Sequence, residues 1–148
     1  MRRKAANGTG SEEVLLKQAG LAKAGTGQVY DWSRDGKYLL LSINPNAALA
    51  RLTASPRDIF ALPVDGDRKP IPVVQTPFRE DQGRFSPDGH FIAYKSNESG
   101  KDEVYVAPFP PKDRSERWMV SRDRGTQPRW SRDGAARARN CITCPAPG

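Results

Sequence analysis

The chain has 148 residues, of which 36% are hydrophobic, and it carries a formal net charge of +7. This length allows one modest domain, and the longest apolar run, Tyr38–Leu41, is far shorter than the roughly 18 residues that a membrane span needs. The segment Met1–Lys4, with three basic residues, looks like the charged start of a signal peptide, but no apolar segment follows it. The sequence therefore predicts neither a membrane span nor a signal peptide, and it leaves the localisation unknown.

Residues 1–25 fit the end of a preceding four-stranded unit, followed by a linker. Arg2–Ala5 and Glu12–Leu16 have the pattern of two strands, with a turn at Asn7–Gly10 between them. The alternative is a disordered basic leader, because the termini of a chain are often loosely held.

An aromatic residue followed by Ser-x-Asp-Gly occurs three times, at residues 32–36, 85–89 and 130–134. The copies are roughly 50 residues apart, a spacing that is typical of repeat architectures. Asp-Gly between two apolar runs predicts a hairpin, because glycine readily takes the positive φ that a tight turn needs. We therefore predict antiparallel hairpins at Asp35-Gly36, Asp88-Gly89 and Asp133-Gly134, with Trp32, Phe85 and Trp130 in equivalent, packed positions.

Each complete repeat contains the pattern of four short strands. Residues 26–78 form the first predicted blade and residues 79–123 the second, while residues 124–134 supply the first strand of a further blade. The predicted strands after the first are Tyr38–Ile43, Asp58–Leu62 and Ile71–Gln75 in one blade, and Phe91–Ser96, Glu103–Phe109 and Arg117–Ser121 in the next.

Four antiparallel strands in each repeat of this size describe a β-propeller blade. The fold class is therefore predicted to be all-β, a partial β-propeller of about two and a half four-stranded antiparallel blades. A propeller ring closes with about four to eight blades, so we interpret the chain as a fragment of a larger propeller. Its open strand edges are expected to favour self-association, and the assembly of several copies into one ring is the alternative.

The motifs resemble a known family. Phe85–Tyr94 and Gln127–Gly134 are similar to the WD40-like repeats of TolB-type propellers, and the resemblance extends over Gly83–Phe109. More narrowly, Gln75–Phe78, Glu103–Pro110 and Trp118–Ser121 resemble the propellers appended to bacterial serine/threonine protein kinases. This resemblance implies a non-catalytic module that binds a protein or a small ligand through loops around a central channel. It also implies a parent that is often extracytoplasmic.

No catalytic motif stands out in the sequence. It contains no Gly-x-Ser-x-Gly elbow, no His-Arg-Asp and no Asp-Phe-Gly, and Gly25-Thr26-Gly27 lacks the lysine of a phosphate-binding loop. We expect His90, directly after a hairpin turn, to be exposed. The sequence thus predicts no enzyme activity and no catalytic, cofactor or metal residues. An alternative is the propeller of a prolyl-oligopeptidase-like peptidase, whose catalytic domain would lie outside this chain.

The positive charge raises polyanions as partners, but its distribution does not favour nucleic acid. Most arginines have an acidic neighbour, as in Arg34-Asp35 and Arg122-Asp123, and no helix is predicted that could enter a groove. A weakly polyanion-binding basic protein remains a second alternative.

Residues 135–148 depart from the repeat and contain both cysteines, Cys141 and Cys144. They show no strand alternation, so this aberrant tail is expected to be disordered. We hypothesise a frameshift, because the residues Arg139–Pro145 permit codons that encode Glu-Leu-Tyr-Tyr-Leu-Ser in another frame. A zinc site needs four ligands, and only His90, in another repeat, could join the cysteines; no metal or redox site is expected.

Overall fold

The computed structural model describes residues 2–3, 11, 13–14, 27–44, 56–113, 116–131 and 134–139. All regular structure in these ranges is β, which confirms the predicted fold class. The strands are β1 Arg2–Arg3, β2 Glu13–Val14, β3 Gln28–Trp32, β4 Tyr38–Ile43, β5 Asp58–Pro63, β6 Ile71–Val74, β7 Glu80–Phe85, β8 Phe91–Ser96, β9 Glu103–Pro108, β10 Trp118–Met119, β11 Thr126–Trp130 and β12 Ala136–Arg139.

The first blade is an antiparallel sheet in the order β3-β4-β5-β6. Its second strand is buried on both faces, because Leu40 packs toward the next blade whereas Leu39 and Leu41 belong to a separate cluster with Leu62. A middle strand between two packed faces is therefore a continuous apolar run rather than an alternating one.

The second blade repeats this arrangement, with β7, β8, β9 and β10 in that order and all pairs antiparallel. Its fourth strand is shorter than the predicted Arg117–Ser121 and covers only Trp118–Met119. Beyond it, the hydroxyl of Ser121 accepts a hydrogen bond of 2.7 Å from the main-chain NH of Val104. The main-chain NH of Val120 also donates to the carbonyl of Val104 at 2.8 Å, so the two segments stay bonded beyond Met119.

A third unit consists of the hairpin β11-β12. The expectation that residues from Ala135 onward lack regular structure is wrong for Ala136–Arg139, which pair with β11. The turn explains the difference: Gly134 has a φ of 83°, and its NH donates to the carbonyl of Ser131. This backbone geometry directs the chain back along β11 without apolar alternation. Residues 140–148, with both cysteines, lie outside the described residues.

At the N-terminus, β1 and β2 pair antiparallel, with Arg2 opposite Val14 and Arg3 opposite Glu13. Pairing at these four residues agrees with the predicted strand-turn-strand pattern. The predicted turn at Asn7–Gly10 lies outside the described residues, and the blade boundaries near residues 26, 79 and 124 stay predictions.

The largest apolar cluster lies at the seam between the two complete blades. Phe109 belongs to it, and its ring centroid lies 5.0 Å from that of Tyr38 and 5.2 Å from that of Phe85. Gly83 allows β7 to approach this seam closely, since a Cβ there would lie 2.6 Å from Cδ2 of Leu40. The cluster's buried members are Leu40, Ile59, Ala61, Val73, Val74, Phe85, Ile92, Tyr94, Tyr105, Ala107 and Phe109.

Trp32 and Phe85 occupy equivalent register positions, as predicted, whereas the partner of Trp130 lies one residue closer to the turn, and the three rings also differ in burial. Each pairs with a residue of the second strand across its turn: Trp32 with Leu39, Phe85 with Ile92, and Trp130 with Ala136. Phe85 is buried and Trp130 packs on the second blade. Trp32, by contrast, is 46% exposed, so the predicted packed position is not observed for this ring.

Candidate binding surface on the inner strands

The first strands of successive units are tied directly to one another. The main-chain NH of Phe85 on β7 donates to Oδ2 of Asp31 on β3 at 2.9 Å. The indole NH of Trp130 on β11 donates to the carbonyl of Arg84 on β7 at 3.0 Å. In a propeller the neighbouring strands of different blades meet around the central channel, so β3, β7 and β11 are the inner strands.

Each inner strand has a β-bulge at the same place in the repeat. The pairing register shifts within residues 29–31, 81–84 and 126–129. Gln82 and Gln127 occupy these bulges with φ angles of 59° and 51°, which is the left-handed region that non-glycine residues seldom adopt. Bulges redirect side chains and occur often beside functional sites. The repeated bulge therefore makes this surface a candidate binding site.

A cleft of about 230 Å³ lies on this surface. We call its lining the inner-strand wall, which consists of Tyr30, Gln82, Arg84, Gln127, Pro128 and Arg129. The main-chain NH of Gln127 donates to Oε1 of Gln82 at 2.7 Å, and the guanidinium of Arg84 donates to the carbonyl of Tyr30. These bonds hold the wall together, while the side chain of Arg129 is exposed.

The wall is electropositive and rich in hydrogen-bond donors. Arg84 and Arg129 supply guanidinium groups, which are well suited to bind carboxylates and carbonyl oxygens. Burial, followed by the nearby charge of Asp81, raises the pKa of the Tyr30 phenol. This hydroxyl therefore stays neutral, donates to Gln28 Oε1 at 2.9 Å, and adds no negative charge to the wall.

A second cleft, of about 450 Å³, opens between the hairpin turns of the two complete blades. Tyr38, Phe85 and Phe109 line it, and His90 stands at its edge, exposed as predicted. The acids of the two turns are engaged within their own loops. Hydrogen bonds from Ser33 and Ser86 lower the pKa values of Asp35 and Asp88, and such carboxylates are poor general acids at neutral pH.

The sequence prediction missed a buried carboxyl at the start of β7. Glu80 is fully buried, and burial raises the pKa of its carboxyl to about 7. Burial also raises the pKa of Asp58, at the start of β5. A signal was available in the sequence, because Glu80 stands where the other two repeats have Gly27 and Gly125.

Within the described ranges, no three or more His, Cys, Asp and Glu side chains lie close enough together to hold a metal ion. Cys141 and Cys144 lie outside those ranges, so the expectation that they bind no metal stays a prediction. Among the described residues there is also no helix of the length and apolar character that a membrane crossing requires.

Comparisons with known proteins identify the fold. No family model matches the chain, and no curated protein matches it. Among solved structures, a putative TolB from Agrobacterium tumefaciens superimposes with a TM-score of 0.61 at 22% identity, over 84% of this chain and 39% of that one. TolB from Acinetobacter baumannii gives a TM-score of 0.62 at 19% identity, over 93% of this chain and 32% of that one.

The chain has the TolB-type β-propeller fold. It spans about a third to two-fifths of the length of these two structures. The propeller fold also accounts for the inner position of β3, β7 and β11, because the blades of a propeller surround a common channel.

Proposed function

We propose that this chain is part of a propeller that acts as a non-catalytic binding module. Its ligand is an extended protein segment, which lies along the inner-strand wall and presents carboxylate side chains to Arg84 and Arg129. The single observation that carries the proposal is the repeated bulge, which places Gln82 and Gln127 in a strained conformation on the same surface.

The arrangement of the wall supports an extended ligand. Gln82 on β7 and Gln127 on β11 are one repeat apart and are joined by a hydrogen bond. Their polar groups therefore recur from one inner strand to the next. An extended segment offers main-chain groups and side chains at a similarly regular spacing. Arg129 is exposed and lines the cleft, where its guanidinium can pair with a carboxylate of the ligand.

The test compares two arginine variants of the full chain. Arg129→Ala removes a cation from the wall, and Arg122→Ala removes another exposed cation from the loop before β11. The probes are a fluorescent peptide of alternating Glu and Ser, the same peptide with Lys in place of Glu, and a short DNA duplex. We expect Arg129→Ala to weaken binding of the Glu peptide by roughly tenfold, the loss of one charge-assisted hydrogen bond, and Arg122→Ala to leave it unchanged.

Equal losses in both variants would contradict a site on the wall, because general charge attraction does not distinguish between exposed arginines. Tight, strongly salt-dependent binding of the DNA duplex would instead support the polyanion alternative. Absence of any binding by the Glu peptide would overturn the proposed ligand class.

The origin of the propeller is a separate proposal. The motif resemblance supports derivation from a kinase-associated or TolB-type propeller, and the alternative is the propeller of a prolyl-oligopeptidase-like peptidase. The neighbouring reading frames distinguish them, since an adjacent kinase domain supports the first and an adjacent hydrolase domain the second. Open strand edges also support self-association of the isolated chain.

A further inference from the structure

Glu80 is a carboxyl in a position where the repeat uses glycine. It stands as far before Phe85 as Gly125 stands before Trp130. A hydrogen bond confirms the equivalence: the main-chain NH of Glu80 donates to the carbonyl of Arg57 at 2.9 Å, and that of Gly125 donates to the carbonyl of Asp102 at 2.8 Å. The backbone at this position therefore needs no carboxyl to form its contacts.

The side chain of Glu80 lies at the seam between the two complete blades. Its Oε1 accepts hydrogen bonds from the hydroxyl of Thr76 at 2.6 Å and from that of Ser96 at 3.2 Å. Thr76 follows β6 of the first blade and Ser96 ends β8 of the second, so the carboxyl joins the two blades. The hydroxyl of Ser42 in the first blade also donates to the main-chain carbonyl of Glu80 at 2.8 Å.

The second oxygen of this carboxyl is buried and has no hydrogen-bond partner among the described residues. An ionised carboxylate would therefore carry buried charge on an oxygen that receives no donor, which is costly. The protonated acid keeps both bonds at Oε1 and removes that charge. The bonds from Thr76 and Ser96 favour the ionised form, but burial outweighs them, and the neutral form is favoured.

The surrounding charges do not reverse this preference. Asp58 on β5 and Glu98 after β8 are the acids that act on Glu80, and both disfavour its ionisation. The guanidinium of Arg117 is committed to Glu98, with bonds of 2.9 and 2.7 Å to its two oxygens. Burial raises the pKa of the Tyr94 phenol, and the charges of Glu80 and Glu98 act in the same direction. The hydroxyl of Tyr94 also has no hydrogen-bond partner among the described residues.

The neighbouring unit shows what a fully bonded carboxyl looks like in this fold. Glu103, at the start of β9, occupies the place that Asp58 has on β5. One of its oxygens accepts from the hydroxyl of Ser121 and the other from the main-chain NH of Arg124 at 2.8 Å. The first seam contains Asp58 and, in addition, Glu80, so it holds one buried carboxyl more than the repeat requires.

We propose that Glu80 is the proton-binding group of a pH-sensitive switch at the seam between the two blades. With its proton, Glu80 holds the blades together through Thr76 and Ser96. Loss of the proton places an uncompensated charge in the seam and loosens the contact between β7 and the first blade.

The sign of the pH dependence follows from burial, which raises the pKa of Glu80 from 4.5 to about 7 in the folded chain. Between these values the folded state binds more protons than the unfolded state. The free energy of unfolding therefore falls as the pH rises through this range. Asp58 contributes in the same direction, because burial raises its pKa as well.

The experiment measures urea midpoints of the full chain from about pH 5 to about pH 8, a window that spans the raised pKa. We expect the wild-type midpoint to fall with pH, and Glu80→Gln, which imitates the protonated acid, to remove most of that fall. Glu80→Gly, which introduces the residue found at this position in the other repeats, is the second variant in case Glu80→Gln does not fold. Asp58→Asn separates the contribution of the second carboxyl.

Glu103→Gln is the matched control, since it makes the same chemical change at a carboxyl whose two oxygens already have donors. It should lower the midpoint at every pH and retain the wild-type fall. The carboxyl carbon of Glu80, followed by NMR, should titrate near neutral pH. Titration near its ordinary value, or an unchanged pH dependence in both Glu80 variants, would overturn the proposal.

Discussion

The main-chain NH of Phe85 donates a hydrogen bond to Oδ2 of Asp31 across 54 residues of sequence. The bond joins the first strands of two blades at the level of the repeated motif. One repeat later, the indole of Trp130 donates to the carbonyl of Arg84. Side-chain bonds between inner strands thus link each unit to the next, in addition to the apolar seam.

We first predict that Asp31→Ala destabilises the chain by about 1–3 kcal/mol. The NH of Phe85 would lose its charged acceptor, and a poorly solvated donor without a partner carries a penalty of this size. Asp31→Asn is the control, because its amide oxygen can still accept the bond and should recover part of the loss. Urea unfolding measures both, and an Asp31→Ala variant as stable as wild type would show that the bond contributes nothing to the seam.

A second prediction concerns the close approach of β7 to β4. In Gly83→Ala the new methyl group would lie 2.6 Å from Cδ2 of Leu40 and 3.7 Å from Cδ1 of Ile59. Relief requires a rotamer change or a strand shift within a packed seam, and we expect a loss of about 1–3 kcal/mol.

The matched control for that variant is Gly27→Ala. Its methyl group would meet Cγ1 of Ile43 at 3.5 Å, an ordinary contact. Thermal unfolding of the two variants should show a lower midpoint for Gly83→Ala only. Similar losses of stability in both variants would mean that glycine is needed at these positions for its backbone conformation and not for the packing of the seam.

The sequence was sufficient to predict the hairpins and most strands, because their signals are local. Gly36 and Gly89 have φ angles of 77° and 76°, as an Asp-Gly turn requires, and apolar runs follow each turn. Such local signals do not predict the burial of Glu80, although alignment of the repeats singles out its position, where the other two have glycine. This burial depends on Thr76 and Ser96, which come from two blades and meet only after the seam has formed.

The prediction that residues from Ala135 onward lack regular structure is wrong at Ala136–Arg139, which form β12. Strand alternation is not necessary here, because a hairpin turn at Gly134 is sufficient to return the chain along β11. Ala136 then packs against Ala93, Val104 and Val106 of the second blade. A small residue fits in this place, although it gives no apolar signal in the sequence.

The final prediction separates this strand from the residues that follow it. Ala136 is 4% exposed, so Ala136→Asp would bury a carboxyl in an apolar contact and should cost more than about 1 kcal/mol. Replacing both Cys141 and Cys144 by serine should change the stability by less than about 0.5 kcal/mol. Urea unfolding under reducing conditions measures each variant.

The gene sequence tests the origin of the tail. The frameshift hypothesis requires the codons of Arg139–Pro145 to encode Glu-Leu-Tyr-Tyr-Leu-Ser, or a close equivalent, in a shifted frame. Restoring that frame would place an apolar, aromatic segment directly after β12, and we expect it to raise the unfolding midpoint by adding apolar surface to the third unit. If the codons do not permit such a strand, or if the double serine variant loses stability, the two cysteines belong to the folded protein and the Cys-x-x-Cys pair must be tested for zinc binding.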